Sequence, residues 1–278
     1  MKRTLVLVVA ACFLSLSASA QNVLTRKEIY RASCKSVVQI QTAGGGFGVG
    51  FIVSPDGLIM TANHVITTRD SKFREYAADI KVAVFGKPGL YQAKPINAQV
   101  SDDQANYDSA IIKIAASDLP AVTLGAWSGI DVPDPVTIIT AWPGIGCIML
   151  DGSVSAKVSF QTELGPKPVN TILFQSPVRN GFSGSPIFNA KGLVVGIVDT
   201  KVWGISAGLD EQRKRWQANA SPNAPVNVVV RFGPGHGDVT ASMLELINNL
   251  DQNLISGLGS GVDIAYAKEQ QKAVAAKP

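Results

Sequence analysis

Residues 48 to 65 read GVGFIVSPDGLIMTANHV: two apolar runs hinged on Ser54-Pro55-Asp56-Gly57 and ending at a histidine. Proline and glycine stand where a tight turn wants them, so Gly46–Ser54 and Leu58–Thr61 are expected to pair as a hairpin. The second strand hands the chain to Thr61-Ala62-Asn63-His64-Val65. The chain has only 2 histidines, and a strand end is a place from which an imidazole can be aimed. Far downstream, Gly181-Phe182-Ser183-Gly184-Ser185-Pro186 sets a hydroxyl among glycines.

Working outward from the hairpin, short runs rich in Val, Ile and Phe are bounded by Gly, Pro, Asp and Asn. Strands are expected at Ser36–Thr42, Gly46–Ser54, Leu58–Thr61, Ile80–Phe85, Gln92–Val100 and Ser109–Ala115. Six antiparallel strands close naturally into a barrel. After Ser117-Asp118-Leu119-Pro120 a second set follows: Val136–Ala141, Cys147–Leu150, Val154–Gln161, Thr171–Gln175, Pro186–Phe188 and Leu193–Val198. The expected fold is therefore all-β, two packed six-stranded antiparallel barrels with a partly helical C-terminal region. Residues 21–118 form the first barrel and 119–200 the second, with His64 in one and Ser183 in the other. Residues 201–260 read as an insertion or extension with helices, from the charged stretch Leu209–Ala218 and the apolar stripe from Met243 to Leu254. Val226–Phe232 is a strand candidate there. Residues 261–278 read as a closing strand, Val262–Ala267, and a frayed tail.

Residues 1–20 have the form of a removable export signal. Lys2 and Arg3 precede an apolar run and Ala18-Ser19-Ala20 offers small residues for cleavage after Ala20. The run is too short to span a bilayer, so no stable membrane anchor is expected. A lipoprotein reading at Val9-Ala10-Ala11-Cys12 would strand apolar Phe13-Leu14 next to the lipid. The mature chain would be secreted or periplasmic. Taking Lys2 and Arg3 from the 25 basic residues leaves 23 against 21 acids, a balance that argues against nucleic acid as partner. Cys34 and Cys147 remain, either as one disulfide or as two buried thiols. No cysteine or histidine cluster suggests a metal, and no cofactor is expected.

A serine hydroxyl is a weak nucleophile until a base takes its proton, and histidine titrates in the right range. A third, acidic group fixes the tautomer. Backbone N–H groups must face the developing oxyanion, in a geometry that glycine adopts without penalty. His64 and Ser183 fit the first two roles. Asp108, directly before the strand Ser109–Ala115, is the chosen acid, with Asp102 or Asp103 as substitutes.

These segments, with Asp108-Ser109-Ala110-Ile111-Ile112-Lys113-Ile114 and Gly192-Leu193-Val194-Val195-Gly196-Ile197-Val198, resemble the chymotrypsin-fold (trypsin-like) serine proteases. The likeness is nearest to the bacterial glutamyl-endopeptidase and periplasmic high-temperature-requirement branches. It covers roughly residues 36 to 200. It implies a serine endopeptidase acting on protein or peptide, with His64 as base, Asp108 as orienter and Ser183 as nucleophile. The amides of Gly181 and Ser183 would form the oxyanion hole.

The chain departs from the family at Phe182, which replaces the aspartate of digestive members and implies activity without further propeptide cutting. The regulatory PDZ module of the high-temperature-requirement branch is not expected in these residues. Pro177, Val178 and Arg179, with Asp199, Thr200 and Lys201 opposite, would line the primary pocket. With no acid at its floor, the pocket favours an apolar or small side chain; Arg179 could instead attract an acidic one. Two rivals stand beside this reading. One is a protease fold kept for binding, its catalysis lost. The other takes Gly204-Ile205-Ser206-Ala207-Gly208 as an esterase nucleophile elbow, followed by Asp210 and His236.

Overall fold

The computed structural model describes residues 23–43, 45–68, 74–160, 168–201 and 256–276. Six strands form the first barrel: β1 (Val37–Gln41), β2 (Phe47–Ser54), β3 (Leu58–Thr61), β4 (Lys81–Val84), β5 (Tyr91–Pro95) and β6 (Ala110–Ile114). The second barrel holds β7 (Pro135–Trp142), β8 (Gly146–Phe160), β9 (Val169–Val178), β10 (Pro186–Phe188), β11 (Val194–Lys201) and β12 (Ser256–Asp263). Each barrel is closed and antiparallel. Round the first the order is β1-β2-β3-β6-β5-β4, and round the second β7-β8-β9-β12-β11-β10, the same path repeated.

Side-chain alternation explains which strands face water. In β4, Val82 and Val84 turn inward while Lys81 and Ala83 are partly exposed, the pattern of a half-solvated sheet. β2 and β3 are instead buried almost throughout. The outer face of β2 is covered: the Val122 amide donates to the Ile52 carbonyl at 2.9 Å, and Gln271 donates to the Val53 carbonyl at 3.0 Å. Ile139, Phe188 and Ile197 of the second barrel pack into the same apolar cluster as the first barrel's Ile40, Phe51 and Ile112.

Among the described residues, three α-helices frame the barrels. Thr25 caps α1 (Arg26–Ser33), its hydroxyl accepting from the Glu28 amide while the Glu28 carboxylate accepts from the Thr25 amide. A disulfide then joins Cys34 to Cys147 on β8, with Cα atoms 5.9 Å apart. Of the two cysteine readings, the structure takes the bridge. Short α2 (Asp102–Asn106) is capped by Ser101. α3 (Ala265–Ala275) returns to the first barrel, with Tyr266 stacked on Tyr107 at 4.8 Å between ring centroids.

The structure corrects several expected boundaries. The tail expected to fray forms α3. The closing strand begins at Ser256 rather than near Val262. Cys147–Leu150 and Val154–Gln161 are one strand, because Asp151-Gly152-Ser153 continues the ladder past a bulge near Val154. Gly152 permits this: a Cβ there would lie 2.3 Å from the Gln175 carbonyl oxygen. β5 stops at Pro95 rather than Val100, with one further backbone bond from the Ile96 amide to the Ile111 carbonyl at 3.2 Å. The helical readings at Leu209–Ala218 and Met243–Leu254, the strand candidate Val226–Phe232, and the leader 1–20 lie outside the described residues, as do Ser206, Asp210 and His236.

Candidate active site

β3 ends at Thr61, and Asn63-His64-Val65 makes a single 3₁₀ turn that points the histidine out of the barrel end. The turn is braced from both sides. Buried Asn63 accepts from Gln104 of α2 through its side chain at 2.8 Å, and its carbonyl accepts from the Thr67 hydroxyl at 2.8 Å. The same α2 delivers Asp108. Its N-cap bond, Gln104 amide to Ser101 hydroxyl at 3.1 Å, starts a helix that ends two residues before Asp108. Asp108 itself has φ +41°, a left-handed conformation that aspartate tolerates better than most residues. Strain of this kind recurs at functional sites.

The result is a two-point grip. One Asp108 oxygen meets His64 Nδ1 at 2.6 Å, and the other accepts from the His64 backbone amide at 2.9 Å. A carboxylate on Nδ1 places the ring proton there and the lone pair on Nε2. Burial pushes the Asp108 carboxyl up. The His64 charge, the hydrogen bonds from its ring and amide, and one from the Asp199 side chain outweigh that and hold it below the usual aspartate range. The His64 and Asp108 side chains are 29% and 20% exposed, so solvent reaches the pair.

Ser183 lies in the turn between β9 and β10. Gly181 and Gly184, at φ +91° and +86°, flank it in a conformation closed to most residues. The turn is pinned across the molecule, since the Val49 amide of β2 donates to the Ser183 carbonyl at 2.9 Å. Gly184 is required twice over, as a Cβ would sit 1.9 Å from the Val49 carbonyl oxygen. Phe182 is buried, 6.1 Å from Trp142 between ring centroids, so an apolar anchor holds the turn. Among the described residues, the N–H groups of Gly181 and Ser183 donate to no other group. The Ser183 hydroxyl donates to the backbone carbonyl of Asp199 at 3.0 Å.

The residues expected in the primary pocket do not all gather there. Val178 is buried in the second barrel's core. The Arg179 guanidinium lies 4.4 Å from the Trp142 ring and 5.2 Å from the Phe182 ring, a cation–π position. Pro177 lines a separate cleft of about 500 Å³ with Arg26 and Asp151. An Asp199 carboxyl oxygen lies within 4.8 Å of His64 and Asp108, the other two members of the site. Thr200 and Lys201 lie on β11, with side chains outside the described residues.

Asp199 and the Asn63–Gln104 brace are the contributions that motif reading misses. For Asp199 a signal existed: an acid within Gly196-Ile197-Val198-Asp199, an otherwise apolar strand. His64, Asp108 and Asp199 are also the one group of three or more His, Cys, Asp or Glu residues among the described residues whose ligand atoms lie within 4.8 Å of one another. The close Nδ1–carboxylate contact makes it a proton-holding cluster.

Residues 48–197 match the family described as trypsin-like peptidase domain. The chain belongs to that family. Relatives of this peptidase domain include a DegP-like periplasmic serine endoprotease of Hahella chejuensis, 34% identical over 151 residues, covering 54% of this chain and 29% of that one. The serine protease HTR4 of Rattus norvegicus is 31% identical over 192 residues, covering 68% of this chain and 36% of that one. The chain thus spans about a third of the length of these curated relatives. In fold, it is similar to the HtrA-type protease AlgW with tripeptide, at TM-score 0.57 and 19% identity, covering 90% of this chain and 64% of that one. An inactive form of Rv3671c from M. tuberculosis H37Rv gives TM-score 0.57 and 15% identity, with 94% and 97% covered. The likeness to these two solved structures is one of fold.

Proposed function

We propose that this trypsin-like peptidase is a serine endopeptidase, exported through its N-terminal signal, that cleaves peptide bonds through an acyl-enzyme. His64 Nε2 takes the proton as Ser183 Oγ attacks the scissile carbonyl carbon, and Asp108 holds the imidazolium. The amides of Gly181 and Ser183 receive the oxyanion. His64 then protonates the leaving amine, and a water activated by His64 hydrolyses the ester and restores Ser183. Before attack, the Ser183 hydroxyl must leave the Asp199 carbonyl and give its proton to Nε2.

The observation that carries the reading is the double hydrogen bond of Asp108 to the ring and amide of His64, at 2.6 and 2.9 Å. A binding protein with lost catalysis has no need to hold a histidine in one tautomer. The relatives' names and the two unengaged amides beside Ser183 support the same conclusion. Export is supported by the leader and by the periplasmic naming of relatives; no helix among the described residues is long and apolar enough to cross a membrane. The test is hydrolysis of an unstructured protein substrate by the mature chain, with products sequenced. Internal cleavage that disappears in Ser183→Ala is expected. Cleavage that survives in that variant contradicts the proposal.

A further inference from the structure

Residue 199 touches the candidate site at two points. Its backbone carbonyl accepts the Ser183 hydroxyl, while a side-chain oxygen lies within 4.8 Å of both a ring nitrogen of His64 and a carboxyl oxygen of Asp108. Asp108 already accepts from the His64 ring and amide. Two carboxyl groups this close and this poorly solvated repel when both are ionised, which favours a proton on one oxygen of the pair. The second carboxyl comes from β11 of one barrel, and the first from the approach to β6 of the other.

We infer that Asp199 is a positioning residue that donates a carboxylic O–H to Asp108, completing a chain Asp199–Asp108–His64 behind the reacting atoms. The inference rests on the peptidase reading of His64, Asp108 and Ser183. Which of the two acids keeps the proton follows from their surroundings. Asp199 is pushed well above the usual aspartate range, first by burial and then by the charge and hydrogen bond of Asp108, against a weaker pull from His64. Asp108 is held below that range. Among the described residues, Asp108 and His64 are the titratable groups that act on Asp199.

The consequence is a pH-dependent support for the imidazole. With its proton, Asp199 gives Asp108 a further donor and holds it square to Nδ1. Without it, two carboxylates face each other, the hydrogen bond is lost, and repulsion pushes Asp108 away from its grip on His64. Turnover should then fall on the alkaline side with KM little changed, because the substrate's own contacts are not involved.

The experiment compares the parent with D199N and D199A, using an internally quenched peptide cleaved by the parent, across the full pH range. D199N keeps a donor toward Asp108 that cannot ionise, and D199A has none. Expected are a kcat lowered about tenfold or more in D199A, most of that loss recovered in D199N, and an alkaline fall present in the parent but absent from D199N. Melting temperatures of parent and D199N report the proton without reference to turnover. A raised carboxyl contributes stability below its ordinary titration and loses it as pH climbs through the folded value. The parent should therefore lose ground to D199N as pH rises. Superimposable pH profiles, or a melting difference that does not vary with pH, would overturn the assignment of Asp199. A folded parent that cleaves no peptide, yet shows the expected melting difference, would instead overturn the peptidase reading and leave the proton on Asp199.

Discussion

The chemistry at the residue scale comes down to three side chains whose roles differ in what their loss removes. Under the proposed mechanism Ser183→Ala deletes the nucleophile and leaves the fold, because the turn is held by backbone bonds and by Phe182. Steady-state kinetics should show turnover down by roughly 10⁴–10⁶-fold with an unchanged circular dichroism spectrum. Asp108→Asn keeps the shape but offers an amide to Nδ1. A fall on the order of 10⁴-fold is expected, whereas a loss under tenfold would move the role to another acid. His64 and Ser183 stood out in the sequence as candidates because each sits inside a local motif. Asp199 was legible as a residue but not as a role. Its partner lies 91 positions earlier in the chain, on the other barrel, and Asp199 sits at an irregularity of β11 between Val198 and Thr200 that sequence alternation does not announce.

Among the structural elements, glycines decide where the barrels can touch. A methyl at Gly184 would meet the Val49 carbonyl oxygen, and Gly184 also holds φ +86°. At Gly86, φ is +76° with nothing within 4 Å of a Cβ. Urea unfolding should separate the two. Gly86→Ala should cost about 1–2 kcal/mol for the left-handed conformation alone, and Gly184→Ala more than about 3 kcal/mol once the clash is added. Equal costs would mean that the β2 contact with the serine turn has been misread. Strand existence was readable from alternation and turn residues. Strand ends were less so, because Gly152 looks like punctuation until its close approach to Gln175 is seen. The short helix before Asp108 was also hidden, since Asp102-Asp103-Gln104-Ala105-Asn106 carries no apolar period.

The whole molecule is two repeats of one strand path joined through a shared apolar cluster, the β2–serine turn contact and the Cys34–Cys147 bridge. The bridge closes a loop of 113 residues, for which chain-entropy arguments give stabilisation of roughly 4–5 kcal/mol and native disulfides typically 2–5. The double variant Cys34→Ser, Cys147→Ser should lose about that much in denaturant unfolding of the oxidised protein, and reductant should bring the parent down to the same level. No change would make the bridge incidental. The two-barrel plan was legible from strand count, but the bridge was not, as two positions far apart in sequence say nothing of their distance in space. The central claim belongs to this scale too, since His64 and Ser183 come from different barrels. Its most direct test is reaction of the mature protein with a fluorophosphonate followed by peptide mapping. The account predicts a single adduct on Ser183 that is lost when His64 becomes alanine. An adduct on Ser206, or none on a folded protein, would contradict it.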